Sequence, residues 1–345
     1  MTISSKVLRM GVAGAGRMGK IHIEHLLETR FVHVNGICTP VKTEQEWAAQ
    51  TVPEAKVFSD YKDLVAQDNI DAVMLVTPTG LHKEQVFLAL QHGKHVFCEK
   101  PLALSASDAW DIYYESLKYP HLKVCCGFPR RYAKQYIEAA RRIRNGEIGK
   151  VITLRSGTSD LFQDNEFFIN YIKGSGGIFV DCNIHDIDAC LFLLGQDKLP
   201  VRAYATGTTH VFPQFAEFGD VDNGLGLVDF EGGLVMNLYS SRDNKHGHHT
   251  MAEVIGTKGR ILLNGEPRIL PLDISDENGT RYLGPLDHMD VFSPAFKAEL
   301  VAFRDWILYD KPINFDLKDA AKAVSIGYAL MESLGKKQAV PVTVY

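Results

Sequence analysis

Lys100 follows a short apolar run and stands between Glu99 and Pro101. The run His95–Cys98 predicts a buried strand of a parallel sheet, and such sheets bind ligands beyond the carboxyl ends of their strands. A lysine that is desolvated beside a second cation exchanges a proton more readily near neutral pH. Most lysines are solvated charges, but the strand-end position and the adjacent Glu99 favour a reacting group here.

Asp181 and His185 lie four residues apart in a segment that predicts one helix ending near Gly195. Four residues make about one helical turn, so we expect both side chains on one face. An acid–imidazole pair on one face can orient a hydroxyl group and relay its proton. A surface ion pair or a core histidine would explain the same spacing, and we expect Asp188 to give structural support.

The segment Gly14-Ala15-Gly16-Arg17-Met18-Gly19 has the pattern G-x-G-x-x-G. It follows the predicted strand Val7–Ala13 and opens an amphipathic helix, which is the context that gives the pattern meaning. Gly14 permits the tight turn, Gly16 lets a pyrophosphate approach the backbone, and Gly19 lets the helix pack closely. The sequence therefore predicts dinucleotide binding rather than a turn without a ligand.

The end of the second strand selects between NAD and NADP in such folds, through an acid that binds the ribose 2′-hydroxyl. Here the strand ends at Cys38, and Thr39 stands at the likely place of that acid. The missing carboxylate and the nearby Lys42 tilt the prediction slightly toward NADP. Glu44 weakens this prediction, and Lys42 has the alternative role of a solvated charge.

Two kinds of element order divide the chain. Up to residue 126 short apolar runs alternate with helical stretches, which predicts a Rossmann domain with a parallel sheet covered on both faces. Residues 127–345 predict an α+β domain with a large, mostly antiparallel sheet, because strand candidates follow one another there without helices between them. These candidates are Lys150–Gly157, Val201–Gly207, Asn223–Phe230, Leu234–Ser241, Met251–Ile255 and Arg260–Leu263.

Composition excludes several protein classes. The net charge of −5, with lysine and arginine spread along 345 residues, argues against a nucleic-acid-binding surface. No apolar run approaches the roughly 20 residues of a membrane helix, and the N-terminus lacks the pattern of a signal peptide. The six cysteines form no Cys-x-x-Cys pair and most lie in apolar segments, so we expect buried thiols, a cytoplasmic location and no metal site.

Five segments carry a family resemblance. Thr77-Pro78-Thr79-Gly80-Leu81-His82 and Glu99-Lys100-Pro101 come first, and Gly127-Phe128-Pro129-Arg130-Arg131-Tyr132 follows. The segment from Gly176 to Asp188 and the turn Gly256-Thr257-Lys258-Gly259 complete the set. Together they resemble the Gfo/Idh/MocA family, which includes glucose–fructose oxidoreductase and inositol dehydrogenases. The resemblance spans nearly the whole chain in the same order.

The resemblance implies an NAD(P)-dependent oxidoreductase that moves a hydride between the nicotinamide and a secondary alcohol or ketone of a sugar or cyclitol. By matching positions, Lys100, Asp181 and His185 would form the catalytic group. His185 would take the hydroxyl proton with Asp181 supporting the imidazolium, while Lys100 either holds the oxygen or accepts the proton itself. Two alternatives are an NAD-retaining glycoside hydrolase of the same fold and, less favoured, a non-catalytic NADP-binding regulator.

The expected ligand contacts fall into two groups. Arg130, Asp160 and His248 join the catalytic residues as expected substrate contacts. His248 and Pro129 depart from the inositol enzymes' pattern, which puts inositol itself in doubt but not a polyhydroxylated substrate. The expected cofactor contacts are Gly14, Gly16, Arg17, Met18, Gly19, Cys38, Thr39, Thr77, Pro78, Thr79, His82, Glu99 and Lys100.

The sheet of the second domain bears on assembly. Alternation along Leu234–Ser241 puts Leu234, Met236 and Leu238 on one face. Helices of the same chain could cover that face, but the resemblance adds the expectation of a second subunit there. We therefore predict a homodimer or homotetramer that forms through the C-terminal sheet.

Overall fold

The computed structural model describes residues 6–195, 198–245, 247–270 and 272–345. These residues form two compact units. The first comprises the chain up to Pro129 together with Ala295–Ala321, and the second comprises Arg130–Pro294 together with Lys322–Tyr345. A single boundary after residue 126 does not describe this division, because Leu300 and Phe303 return to the core of the first unit.

The first unit contains six parallel strands in the order β3-β2-β1-β4-β5-β6. This is the order of a doubly wound dinucleotide-binding sheet, with the crossing point between β1 and β4. The strands are β1 Leu8–Ala13, β2 Val32–Cys38, β3 Lys56–Phe58, β4 Ala72–Leu75, β5 His95–Cys98 and β6 Val124–Cys126. The helices are α1 Arg17–Glu28, α2 Lys42–Thr51, α3 Tyr61–Val65, α4 His82–Gln91 and α5 Ala106–Leu117.

The second unit is built on a seven-stranded sheet in the order β12-β11-β7-β10-β9-β8-β15. Only the β7–β10 pair among these described strands is parallel, so the predicted mostly antiparallel α+β sheet is confirmed. Its strands, with the separate β13–β14 hairpin, are β7 Val151–Leu161, β8 Pro200–Thr208, β9 Asn223–Phe230, β10 Val235–Asn244, β11 His249–Gly256, β12 Arg260–Leu263, β13 Asp273–Asp276, β14 Gly279–Tyr282 and β15 Val340–Pro341. The remaining α-helices of the described residues are α6 Lys134–Arg144, α7 Glu166–Lys173, α8 Ile178–Asp181, α9 Ile184–Leu194, α10 His288–Tyr309 and α11 Leu317–Lys336.

The segment around Asp181 differs from its prediction. It forms two helices rather than one, since α8 ends at Asp181 and α9 begins at Ile184. The amide of Asn183 bonds to the carbonyl of Ile178, five residues back, which interrupts the regular helical ladder. The expected single helix through Asp181 and His185 is therefore wrong.

The face of the large sheet that carries Leu234, Met236 and Leu238 is covered by the chain's own helices. The three side chains are almost fully buried, and α9 packs on β7 and β10. A second subunit is therefore not needed to cover this face.

Among the helices described, none combines the length and the apolar character that crossing a bilayer requires.

Candidate functional site

The glycine loop lies between β1 and α1 and accepts only glycine at two positions. Gly14 has a φ of +97°, and a Cβ atom there would lie 2.4 Å from the carbonyl oxygen of Val76. A Cβ at Gly19 would lie 2.2 Å from the carbonyl oxygen of Gly14. Both contacts are shorter than real Cβ atoms make, so the close approach of strand, loop and helix depends on these glycines.

Gly16 has a different environment, because its surroundings are open. A Cβ atom placed there would meet a single atom of the described chain within 4 Å, Oε1 of Glu44 at 3.7 Å. Gly16 is also the N-cap of α1 and brings no side chain to the first amide groups of the helix. Open space beside uncapped amides at a helix N-terminus suits a pyrophosphate, so the loop fits a dinucleotide.

The end of β2 carries the predicted residues Cys38 and Thr39. The carbonyl of Cys38 accepts a hydrogen bond from the amide of Gly14 at 2.8 Å, which fixes the end of β2 against the glycine loop. The Cys38 thiol is buried, and this burial raises its pKa to about 11. Thr39 is almost fully buried, and its hydroxyl donates to Oε2 of Glu44 at 2.5 Å.

The Thr77–His82 segment follows β4 and separates into an accessible and a buried part. Thr77 and Thr79 are half-buried and Pro78 is exposed, which leaves them available to a ligand at the strand ends. His82 is buried, with its Nδ1 3.0 Å from the carbonyl oxygen of Pro101 and its Nε2 3.1 Å from that of Thr77. Burial lowers the pKa of His82, and its ring links the segments after β4 and β5 instead of facing outward.

Glu99 and Lys100 follow β5, as predicted. The Glu99 carboxylate lies 2.6 Å from Nε2 of His22 and accepts the amide of Lys100 at 2.9 Å. Burial alone would raise the pKa of Glu99, but the hydrogen bond with His22 and the nearby charges hold it below the usual range. Glu99 therefore fixes the backbone at Lys100, whose own side chain is half-buried.

His22 is a residue that the sequence analysis missed. It lies on α1, is fully buried beside Phe97 and Phe296, and positions Glu99. A polar residue on the apolar face of α1, between Gly19 and Ile23, is the signal that would have found it.

In the second unit, Arg130 and Arg131 form buried ion pairs. Arg130 donates to Asp186 at 2.7 Å and to the hydroxyl of Thr158 at 2.8 Å. Arg131 binds both carboxylate oxygens of Asp188 at 2.8–3.0 Å. The expected contact of Arg130 with a ligand gains no support from this geometry, because its guanidinium faces the interior of the unit.

Asp181 lies in a looser polar cluster. Its Oδ1 accepts a 2.6 Å hydrogen bond from the hydroxyl of Tyr171, and its Oδ2 lies 3.6 Å from the guanidinium of Arg242. Arg242 is 1% exposed and also lies 3.5 Å from Asp220. Burial raises the pKa of Asp220. Tyr171, Asp220 and Arg242 were not predicted as site residues.

Asp160 and His248, both predicted as substrate contacts, are neighbours in the second unit. Nδ1 of His248 lies 3.0 Å from Oδ1 of Asp160, and the thiol of Cys182 donates to Oδ2 of Asp160 at 3.3 Å. Burial would raise the pKa of Asp160, but the hydrogen bond with His248 holds it low. Asp160, Asp181 and His248 lie apart in the sequence, and the structure connects them through direct contacts. His248 bonds to Asp160, and the thiol of Cys182 lies within hydrogen-bond distance of both Asp160 and Asp181.

His185 stands in the first turn of α9 and is half-buried. A half-buried position is compatible with a role in proton transfer. Within the described residues, no group of three or more histidine, cysteine, aspartate or glutamate side chains is arranged to hold a metal ion.

Comparison with known proteins agrees with this geometry. A model described as an oxidoreductase family with an NAD-binding Rossmann fold matches residues 8–120, and the C-terminal domain model of the same family matches residues 136–262. The chain belongs to the Gfo/Idh/MocA family. As a family member it is an oxidoreductase with an NAD-binding Rossmann domain, which confirms the predicted resemblance and fold class.

Relatives of this Gfo/Idh/MocA protein match along nearly its whole length. The scyllo-inositol 2-dehydrogenase (NAD(+)) of Bacillus subtilis is 34% identical, over 94% of each chain. The Myo-inositol 2-dehydrogenase of Thermotoga maritima is 30% identical, over 96% of this chain and 98% of its own. The crystal structure of scyllo-inositol dehydrogenase from Lactobacillus casei with NAD(H) and scyllo-inositol superposes with a TM-score of 0.92 at 30% identity, covering 98% of this chain and 99% of that chain.

Proposed function

We propose that this protein is a cyclitol dehydrogenase that transfers hydride between NAD and a secondary alcohol of an inositol-like substrate. The observation that carries the proposal is the position of Lys100 beyond the carboxyl end of β5, with Glu99 and His22 fixing its backbone. The Bacillus subtilis and Thermotoga maritima relatives are both inositol dehydrogenases by name. They align with 94% and 96% of this chain.

The proposed roles follow residue by residue. Bound NAD supplies the hydride acceptor. Asp181, hydrogen-bonded to Tyr171, stabilises positive charge on the imidazole of His185 when this ring takes the hydroxyl proton. Lys100 stabilises negative charge on the substrate oxygen or accepts the proton itself, and both assignments stay open.

Asp160 and His248 supply substrate specificity in this proposal. A histidine that is hydrogen-bonded through Nδ1 to a carboxylate keeps its Nε2 for another partner. Nε2 of His248 is buried and has no hydrogen-bond partner among the described residues. A hydroxyl of a polyhydroxylated ring is the kind of group that would satisfy it.

We propose NAD as the working cofactor. The slight preference for NADP predicted from Thr39 and Lys42 rests on those two positions alone. Names of relatives point the other way, since one is called an NAD(+) enzyme and a solved structure holds NAD(H).

We also propose a homodimer or homotetramer that forms through the face of the large sheet opposite α9. Four side chains on this face, from neighbouring strands β8, β9 and β10, are 39–51% exposed. They are Tyr204, Leu225, Leu227 and Tyr239. An apolar face of this kind is typical of an interaction surface. Light scattering should give a multiple of the monomer mass, and a Leu227→Lys variant should lower it. The cytoplasmic location stays a prediction from the buried cysteines.

The test is steady-state formation of NADH with a panel of inositols, hexoses and glycosides. Lys100→Met should lower kcat/KM about 10²- to 10⁴-fold, which is the usual contribution of a proton-transfer group. Lys118→Met, at an exposed lysine paired with Glu115, is the matched control and should keep full activity. Full turnover by Lys100→Met would refute the assignment, and glycoside cleavage without net NADH release would indicate the hydrolase alternative.

A further inference from the structure

Glu44 reaches from α2 back to the dinucleotide loop. It lies in the first turn of α2, only a few residues beyond the end of β2. Its Oε2 accepts the Thr39 hydroxyl at 2.5 Å, and its Oε1 lies 3.7 Å from the position that a Cβ of Gly16 would occupy. The carboxylate therefore stands between the end of β2 and the glycine loop, although the end of β2 carries no acid of its own.

The position of this carboxylate is fixed by its neighbours. Thr39 is 1% exposed, and its carbonyl accepts a 2.8 Å hydrogen bond from the side-chain amide of Gln45. The Thr39 hydroxyl accepts the amide of Val41 at 3.2 Å and donates its proton to Glu44. Oε2 is engaged by Thr39, and Oε1 is the oxygen nearer to Gly16.

We propose that Glu44 selects NAD over NADP in this protein, a proposal that rests on the proposed use of NAD. In dinucleotide-binding folds a carboxylate at the end of β2 accepts a hydrogen bond from the ribose 2′-hydroxyl. Glu44 performs that task from α2, with Thr39 as its positioning residue. A 2′-phosphate at the same place would meet a like charge, and such contacts are strongly unfavourable.

Two exposed cations make the role of Glu44 testable. Arg17 follows Gly16 in the loop, and Lys42 is the first residue of α2. With Glu44 neutralised, we expect these two cations to attract a 2′-phosphate by their charge. In this proposal the carboxylate of Glu44 outweighs Lys42, the charge that tilts the sequence prediction toward NADP.

The experiment is a titration of the full-length protein with NADH and, separately, with NADPH, in the absence of any substrate. The fluorescence of the nucleotide measures binding and gives the two Kd values. Wild type should bind NADH more tightly than NADPH. Glu44→Gln should shift the ratio of the two Kd values toward NADPH by about tenfold or more, which corresponds to about 1.4 kcal/mol. Thr39→Val should shift it in the same direction by less, because the carboxylate stays but loses its anchor.

Glu46→Gln is the control, since Glu46 is an exposed glutamate on the same helix. It changes the net charge equally and should leave the ratio unchanged. A Glu44→Gln ratio within about twofold of wild type, or equal binding of both nucleotides by wild type, overturns the proposal. NADH binding with the expected ratios but without turnover of any cyclitol would refute the proposed function and leave the role of Glu44 standing.

Discussion

Arg131 and Arg242 are both buried arginines of the second unit, but they are partnered in different ways. Arg131 binds both oxygens of Asp188 at 2.8–3.0 Å. Arg242 lies 3.5–3.6 Å from Asp220 and Asp181, and none of its three guanidinium nitrogens has a hydrogen-bond partner within the described part of the chain. Burial alone would lower the pKa of Arg242, but Cys182 and the surrounding carboxylates raise it.

The difference separates a structural ion pair from a site that a ligand can complete. A buried charge with fully formed hydrogen bonds stabilises one arrangement of the fold, whereas an incompletely bonded one costs free energy unless another group completes its contacts. Arg242 adjoins Asp181, the carboxylate proposed to support His185. We therefore expect the Arg131–Asp188 pair to govern stability and the cluster around Arg242 to govern activity.

The largest expected effect is on stability, from Asp188→Asn in the tight pair. Removing one partner leaves the Arg131 charge buried without its counter-ion, so the free energy of unfolding should fall by about 3–5 kcal/mol. Equilibrium urea denaturation measures this change. A loss below about 1 kcal/mol would mean that the tight pair is not the structural element described above.

Arg242→Met should have the second largest effect, and on a different quantity. We expect kcat with a cyclitol to fall about tenfold or more, while the free energy of unfolding falls less than in Asp188→Asn, because no hydrogen bond of Arg242 to the described chain is lost. Arg242→Lys keeps the charge and should recover part of kcat. A Met variant with unchanged kcat and a stability loss equal to that of Asp188→Asn would abolish the distinction between the two arginines.

Asp220→Asn tests the loose cluster through pH. Burial raises the pKa of Asp220 above the ordinary 3.8, so the folded state holds this proton to higher pH than the unfolded chain does. The stabilisation from this group is complete below pH 3.8 and is lost as the pH rises through the raised value. Denaturation of both proteins over this range should therefore show wild type losing stability relative to Asp220→Asn as the pH rises. A difference that does not change with pH would contradict the raised pKa.

The smallest effect is expected from Glu332→Gln, at a surface pair with Lys336 on α11. Both side chains are well exposed, so solvent screens the pair and its loss should change the free energy of unfolding by about 0–1 kcal/mol. The same urea denaturation serves here as the control for Asp188→Asn. A loss as large as that of the buried variant would show that burial does not explain the contrast.

Much of the fold follows from local patterns in the sequence. The alternation of apolar runs and helices predicts the parallel strands of the first unit. β5, β9 and β12 have the predicted bounds, and β2 ends at Cys38 as predicted. β3 and α3 were missed, because a three-residue strand and a five-residue helix are too short to show a periodic pattern. The break between α8 and α9 was also missed, since no proline or glycine interrupts Asp181–His185.

The candidate site divides in the same way. Glycine at positions 14, 16 and 19, and the strand end before Lys100, are local features, so the sequence by itself determined the dinucleotide loop and the place of Lys100 after β5. Only the tertiary structure decided which carboxylates lie beside Arg242 and that His22 is hydrogen-bonded to Glu99. The physical reason is that burial and hydrogen bonding, which fix the state of a charged group, come from residues that are far apart in the chain and meet only after folding.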